Sequence, residues 1–356
     1  MPPTDASSPA TIDIESLGLD QGGLLLLRRA LAEIAPGAEL RVRGRAPGWT
    51  VHLAAWCRQH GHGLRFDERP DGSCELWVAR ASHAEGRWHQ AMHTGRAWLG
   101  DGEWPAAEAA PAWGLAARGA TVEAGSPAFA FALARRDELW AATAGALYRQ
   151  GAAAQWDPAL AIDWGAAFTL APAIEAAVVQ VMTYLIENEN AALLVPARHL
   201  GQVHPHYREV MQLLALQCAD EARHVEVFTR RATLRGCEPA LSSAGGQASL
   251  RTLFEASDFS QATFLLAVLG EGTFVNLLNF LHAHAPDPVT RQIARLAARD
   301  EARHVAFGMA HLEHRLAAQP DYRASLRNAI EQRYDELAAT TGLNEEVFDA
   351  LVLLAA

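Results

Sequence analysis

Two segments of the chain repeat almost word for word, Asp220-Glu221-Ala222-Arg223-His224-Val225 and Asp300-Glu301-Ala302-Arg303-His304-Val305. On a helix turning about 100° per residue, a Glu and a His three positions apart share one face, a turn apart along the axis. Both side chains can then reach one metal ion from a single helix. One E-x-x-H is common in proteins. Two copies in long helical runs, each preceded by another helix bearing a carboxylate, form a far more specific pattern. In the second half that carboxylate is Glu271, the only acid in the apolar stretch FLLAVLGEGTFVNLL. A buried, unpaired carboxylate is costly, so a metal or a proton must satisfy it. In the first half Glu187 and Glu189 compete. Apolar residues lie at −2, −3, −5, −6, +6 and +7 from Glu271, and the same offsets from Glu187 give Leu185, Tyr184, Met182, Val181, Leu193 and Leu194. From Glu189, −2 and −5 fall on Glu187 and Tyr184, a poorer match. The alignment selects Glu187 and holds Glu189 in reserve.

The expected ligands are therefore Glu187, Glu221, His224, Glu271, Glu301 and His304. Four glutamates and two histidines projecting into a bundle core are the ligand set of di-iron and di-manganese carboxylate proteins. Oxygen-rich coordination with one imidazole per metal suits iron or manganese better than zinc. Two iron ions are the expected cofactor, with a Mn/Fe pair as the variant. Glu187/Glu271 and Glu221/Glu301 would supply terminal and bridging carboxylates. Four negative charges against two divalent cations leave a neutral core. Glu187, Glu271 and Glu301 are the carboxylates expected beside the reacting molecule.

Positioning this set requires long helices. Helical patterning predicts Asp137–Gln150, Ala166–Ala197, Tyr207–Leu234, Ser260–His284, Pro288–Ala318, Asp321–Thr340 and Asn344–Leu354, with Asp157-Pro158 and Pro172 as helix starts. Upstream the period changes. Thr11–Leu17, Glu39–Arg45, Leu64–Asp67 and Cys74–Arg80 read as strands, Gly23–Ile34 and Trp49–His60 as helices, and Arg69-Pro70-Asp71-Gly72 as a turn. The β-α-β-α-β-β order predicts a small two-layer α/β sandwich. Residues 1–82 form this first domain and 136–356 the helical bundle. Residues 83–135, rich in Ala, Gly, Pro and Trp, form a linker or wrap, part of which Trp88, Trp98, Trp104 and Trp113 should pack onto a domain.

The stretch LGLDQGGLLLLRRALAEIAPGAELRVRGRAPGWTVHLAAWCRQHGHGL resembles the TusA-like (SirA-like) sulfur-carrier family over roughly residues 11–80. That family carries a persulfide-forming Cys-Pro at the start of its first helix. Here Asp20 and Gln21 hold those positions, which speaks against sulfur transfer and for a retained scaffold or recognition module. Cys57 and Cys74 read as packing residues.

Residues 164–318 resemble the ferritin-like superfamily. DEARHVAFG is similar to the last core helix of ribonucleotide-reductase-small-subunit-like oxidases and of p-aminobenzoate N-oxygenase-like proteins. The resemblance implies a mainly α fold, a ferritin-like four-helix bundle with two E-x-x-H helices. It also implies that Asp220 orients His304 and Asp300 orients His224 across the bundle, fixing tautomer and ring angle. Arg223 and Arg303 are expected in ion pairs. Phe228 stands where reductase small subunits carry their radical tyrosine, and Ala297 where the N-oxygenases carry an extra histidine. Neither specialised chemistry is indicated.

Other polar residues are assigned plainer roles. Tyr184 is expected as a core ring and His311 as a satisfied packing histidine. His199, His204, His206, His282 and His284 fall near helix ends, where capping or exposure is expected. Gly270 and Gly272 would open space near Glu271 or allow close helix packing.

A net charge of −11 argues against nucleic acid as the main partner. All 30 basic residues are arginine. Four scattered cysteines without a C-x-x-C pair suggest reduced thiols in the cytoplasm. No run is expected to span a membrane, and no signal-like N-terminus is seen. The combined expectation is an oxidoreductase that activates O2 and oxidises a small-molecule or carrier-bound substrate, with an unspecified electron donor and a possible homodimer. The alternatives are a ferritin-like metal-handling protein and a binding module without catalysis.

Overall fold

The computed structural model describes residues 10–68, 74–81, 90–100, 102–338 and 345–355. They divide into two compact units, Met1–Thr94 with Gly119–Pro127, and Gly95–Arg118 with Ala128–Ala356.

The first unit runs β1 (Ala10–Asp13), α1 (Gly23–Ala32), β2 (Glu39–Arg43), α2 (Trp49–His60), β3 (Gly63–Glu68) and β4 (Cys74–Ala79). A short antiparallel pair, β5 (Met92–His93) and β6 (Thr121–Val122), completes it. The main sheet has the order β1-β2-β4-β3, with β1 parallel to β2 and the other neighbours antiparallel. Alternation in β2 sends Leu40 and Val42 inward and leaves Arg41 and Arg43 on the other face. Leu40, Val42, Leu76 and Val78 pack against Leu27 and Leu31 of α1 and Leu53 and Cys57 of α2. Cys57 is fully buried, and burial pushes its thiol up to about 12, as suits a packing residue. Gly48 and Gly61 bracket α2 at φ 72° and 71°, a conformation that favours glycine. Asp20 and Gln21 lie exposed in a 3-10 turn, Leu19–Gln21, just before α1. The turn expected at Arg69–Gly72 and the ring of Trp88 fall outside the described residues, as does the side chain of Cys74.

The second unit is helical: α3 (Ala144–Ala153), α4 (Pro158–Ala161), α5 (Pro172–Leu200), α6 (Arg208–Thr233), α7 (Ala244–Phe254), α8 (Phe259–Thr263), α9 (Glu271–His284), α10 (Pro288–Ala318), α11 (Tyr322–Ala338) and α12 (Glu345–Ala355). A π-helical stretch, Phe264–Gly270, joins α8 to α9 without a break. Prolines open α4, α5 and α10 at positions where no backbone N–H is needed. The bundle core comes from Val178, Met182 and Leu185 of α5, Val227 and Phe228 of α6, Leu278 and Leu281 of α9, and Ile293, Ala294 and Ala297 of α10. These four helices with two E-x-x-H segments form the mainly α architecture expected, beside the small α/β sheet.

In the stretch between the two domains, Trp113 rests on the ring of His206 and Trp104 on that of His314, while Trp98 is 81% exposed with the Arg208 guanidinium over its ring. Three expectations need correction. The helix expected from Asp137 starts at Ala144, and Arg136–Glu138 forms a separate 3-10 turn. Helix α7 was not anticipated, because Gly245 and Gly246 in its first turn weaken the local helical signal. Finally, the continuous helix Phe259–His284 is long and apolar enough to cross a membrane by length and composition, with a mean hydropathy of 1.6 over an 18-residue window. Its inner face packs within the bundle. Gly308 of α10 approaches it so closely that a Cβ there would lie 2.8 Å from the Ala267 Cβ.

Away from the histidines, the fully buried Arg231 on α6 joins three elements. Its guanidinium donates to Glu175 (2.7 Å) on α5, and to Asp287 (2.8 Å) and Thr290 (2.9 Å) at the start of α10. Asp287 also caps α10 by accepting from the Thr290 N–H at 2.8 Å.

Candidate metal centre

Two overlapping sets of buried side chains converge at mid-bundle. Glu189, Glu221, His224 and Glu301 form one, and Glu221, Glu271, Glu301 and His304 the other. Within each set, one ligand atom per residue lies within 4.8 Å of the rest. α5 contributes Glu189, α6 Glu221 and His224, the first residue of α9 Glu271, and α10 Glu301 and His304. The E-x-x-H spacing works as helical geometry requires, with each Glu and His of a motif facing the same interior.

Glu221 and Glu301 straddle both histidines. His224 Nδ1 lies 3.1 Å from Glu221 Oε2 and 3.2 Å from Glu301 Oε1. His304 Nδ1 lies 3.0 Å from Glu221 Oε1 and 3.4 Å from Glu301 Oε2. Each of these carboxylates therefore offers one oxygen to each histidine, the disposition of a bridging ligand. Glu189 sits on the His224 side, 3.6 Å from Nδ1. Glu271 belongs with His304, and its Oε1 accepts from the Gln217 amide at 3.1 Å.

Both imidazoles turn their other nitrogen to an aspartate across the bundle. His224 Nε2 is 3.2 Å from Asp300 Oδ2, and His304 Nε2 is 3.4 Å from Asp220 Oδ2. This is the crossed pairing expected of Asp220 and Asp300. It leaves each Nδ1 directed at the cluster. Arg223 and Arg303 each bind both aspartates, Arg223 reaching Asp300 at 3.0 Å and Arg303 reaching Asp220 at 3.3 Å, so the two cations neutralise the two anions.

Glu187 requires correction. It is half-buried on α5 and outside both ligand sets, while Glu189 is 1% exposed and inside one. The comparison of halves failed because the offsets before Glu271 run through a π-helical segment. Each turn there holds more than 3.6 residues, so those offsets do not transfer to the regular helix α5. The α-helical stripe of α5 itself passes through the right residue: Val178, Met182, Leu185, Glu189, Ala192 and Pro196 are all buried at alternating spacings of four and three.

Three contributors were not anticipated. Gln217 lies one turn before Glu221 on the same face of α6, a position its sequence spacing could have flagged. Gln155 donates to Asp220 at 2.8 Å, and the Trp156 indole N–H donates to Asp300 at 2.8 Å. Both sit in the loop after α3, where no periodicity points inward. Tyr184 is a half-buried ring against Phe274, and burial raises its phenol. Phe228 is fully buried, its ring 6.2 Å from His224, and Ala297 is likewise in the core. His311 is a satisfied packing residue between the Ser260 hydroxyl (2.8 Å) and the Trp140 carbonyl (3.1 Å). His199, His204 and His206 are buried rather than exposed, and His204 caps the turn that follows it. Gly272 meets no atom within 4 Å where its Cβ would be, so close packing does not demand it. A Cβ at Gly270 would lie 3.3 Å from the Leu265 carbonyl oxygen.

The electrostatics are those of a site short of cations. Burial drives Glu189 and Glu271 well above the usual carboxylate range, reinforced by the neighbouring Glu221 and Glu301 charges. Glu221 moves well below it, because its ion pairs with His304 and His224 overcome the opposing effect of burial. Both histidines rise well above their usual value despite burial, His224 chiefly through Glu189 and His304 chiefly through Glu221. Glu189 Oε1, Glu221 Oε1, Glu271 Oε2 and Glu301 Oε1 are buried without a hydrogen bond. Four such oxygens, one from each glutamate, fit a pair of cations that the protein's own donors do not replace.

No family model matches the chain, and no curated protein matches it. Among solved structures it is similar to variants of an R2-like ligand-binding oxidase with a reconstituted Mn/Fe cofactor. One is 18% identical with a TM-score of 0.49, covering 60% of this chain and 83% of that one. Another is 17% identical with a TM-score of 0.47, covering 60% and 92%.

Proposed function

We propose that this protein is an oxidoreductase that holds two iron ions, or one manganese and one iron, and uses O2 to oxidise a small organic or carrier-bound substrate. The observation that carries this reading is the pair Glu221 and Glu301, each spanning both histidines, in a cluster where one oxygen of each of the four glutamates is buried without a hydrogen bond. Glu189 and His224 would complete one metal position, and Glu271 and His304 the other. The bound pair would supply the redox chemistry that no side chain here offers.

The remaining work falls to the chain. Asp300 and Asp220 hold the imidazoles with Nδ1 inward, and Gln217 holds one oxygen of Glu271. The apolar core of the bundle keeps bulk water from the site. We assign the first unit to substrate or partner recognition on a sulfur-carrier-like scaffold in which Asp20 replaces the reactive thiol. We place the protein in the cytoplasm, consistent with free Cys57, Cys218 and Cys237.

The test is metal content and optical spectrum of protein from iron-supplied cells, followed by reduction and exposure to O2. About two metals per chain and a visible band on oxygenation are expected. Glu271→Ala should lose about one equivalent of metal with its helix content intact. A wild-type metal load in that variant, or a chain that refuses iron altogether, overturns the assignment.

A further inference from the structure

We propose that dioxygen reaches the carboxylate cluster from one side of the bundle, through a partition formed by His199 and Phe259 and a small apolar chamber ending at Gln217. The inference rests on the dinuclear reading above and adds a route and a gas-selective chamber to it.

The outer end is a cavity of about 490 Å³ walled by Glu138, Arg198, Gln202 and Asp258, together with His199 and Phe259. The same His199 and Phe259 wall a second, inner cavity of about 20 Å³, enclosed by Leu214, Leu266 and Phe307 with Gln217 among its lining residues. Gln217 donates to Glu271, whose other oxygen has no partner. The two cavities and the amide thus lead in sequence from a polar mouth to a ligand carboxylate.

Size and polarity decide what can use the inner chamber. Holding one water requires roughly 10–15 Å³ by this measure, so the chamber admits a single molecule of a few atoms and no organic substrate. A trapped water also needs two to four polar partners. The two ring nitrogens of His199 are engaged with Gln202 and Arg198, and the Gln217 amide nitrogen with Glu271, which leaves the Gln217 carbonyl and the Thr263 hydroxyl as the polar groups in a mainly apolar wall. An apolar diatomic loses no hydrogen bonds on entering. The His199 and Phe259 rings meet edge to face at 5.4 Å, and Phe259 leans on Phe307 and His311. Passage therefore depends on side-chain motion of Phe259, while polar solutes are held in the outer cavity.

The experiment uses the full chain and two probes, xenon and O2. Crystals under xenon should show an atom bounded by Phe259, Leu266 and Phe307. Leu214→Phe and Leu266→Phe, made separately because either could disturb the core, should displace it. Both variants should bind as much Fe(II) anaerobically as wild type, yet the reaction of the Fe(II)-loaded protein with O2 in stopped flow should slow by about tenfold or more. Phe259→Ala should keep the metal load and speed that step. Xenon absent from the chamber, or folded, fully loaded variants reacting at the wild-type rate, overturns the route. A wild-type chain that takes no iron refutes the dinuclear reading and with it the route's destination. That failure is read from metal content, separately from xenon occupancy.

Discussion

Asp300→Asn tests how the cluster is held from outside. Asp300 accepts from the Trp156 indole at 2.8 Å and from Arg223 at 3.0 Å, stands 3.2 Å from His224 Nε2, and pairs with Arg303. An amide keeps the shape but removes the charge that makes His224 a better ligand. It also leaves two guanidinium groups with a single aspartate. Loss of such a carboxylate behind a metal-bound imidazole costs about 10- to 100-fold in metal affinity, or about 1.4–2.7 kcal/mol. The loss should fall on one metal position, because His224 stands with Glu189 while His304 stands with Glu271. Asp220→Asn should weaken the other. Chelator-competition titrations of the wild type and both variants resolve the two equivalents. If both equivalents bind Asp300→Asn with wild-type affinity, the crossed aspartates do not support the histidines and the reasoning is wrong.

Glu189→Ala should cost one metal equivalent in elemental analysis while Glu187→Ala keeps both; the reverse would restore the assignment from sequence spacing. Arg231→Met should destabilise the chain by about 3–5 kcal/mol in chemical denaturation, since it strands Glu175 and Asp287 without their cation; a loss under about 1 kcal/mol refutes that role. His311 is depressed to about 4 by burial, with smaller help from His314 and Arg315, against the upward pull of the Trp140 carbonyl and Asp258. Because its folded value lies below its unfolded value of about 6.5, its contribution is complete above pH 6.5 and is lost as pH falls toward 4, about 3 kcal/mol in all. Unfolding curves from pH 7 to 4 should show a smaller loss in His311→Gln, and parallel curves would remove His311 from the account.

Much of this was legible because the chemistry is written in helical spacing. The duplicated motif and the solitary acid among apolar residues marked five of the six buried side chains that converge, and the proline and Asp-Pro signals marked several helix starts. Glu189 was missed by comparing a regular helix with a π-helical one, although its own buried stripe contained the answer. The π segment is where α10, at Gly308, seats closely against Ala267 and Val268, a tertiary fit that local spacing does not announce. Gln155 and Trp156 are loop residues whose partners lie 65 and 144 positions away, beyond any local pattern.

The near-repeat in sequence does not produce twin sites. Asp300 is held by an indole, whereas Asp220 is held by a carboxamide. Glu271 is tethered by Gln217 and follows a π-helical stretch, while Glu189 sits inside a regular helix. The two addresses therefore differ in their surroundings, so two metals should fill them in a fixed order. A chain built from an echo of itself thus gains the means to tell its first ion from its second.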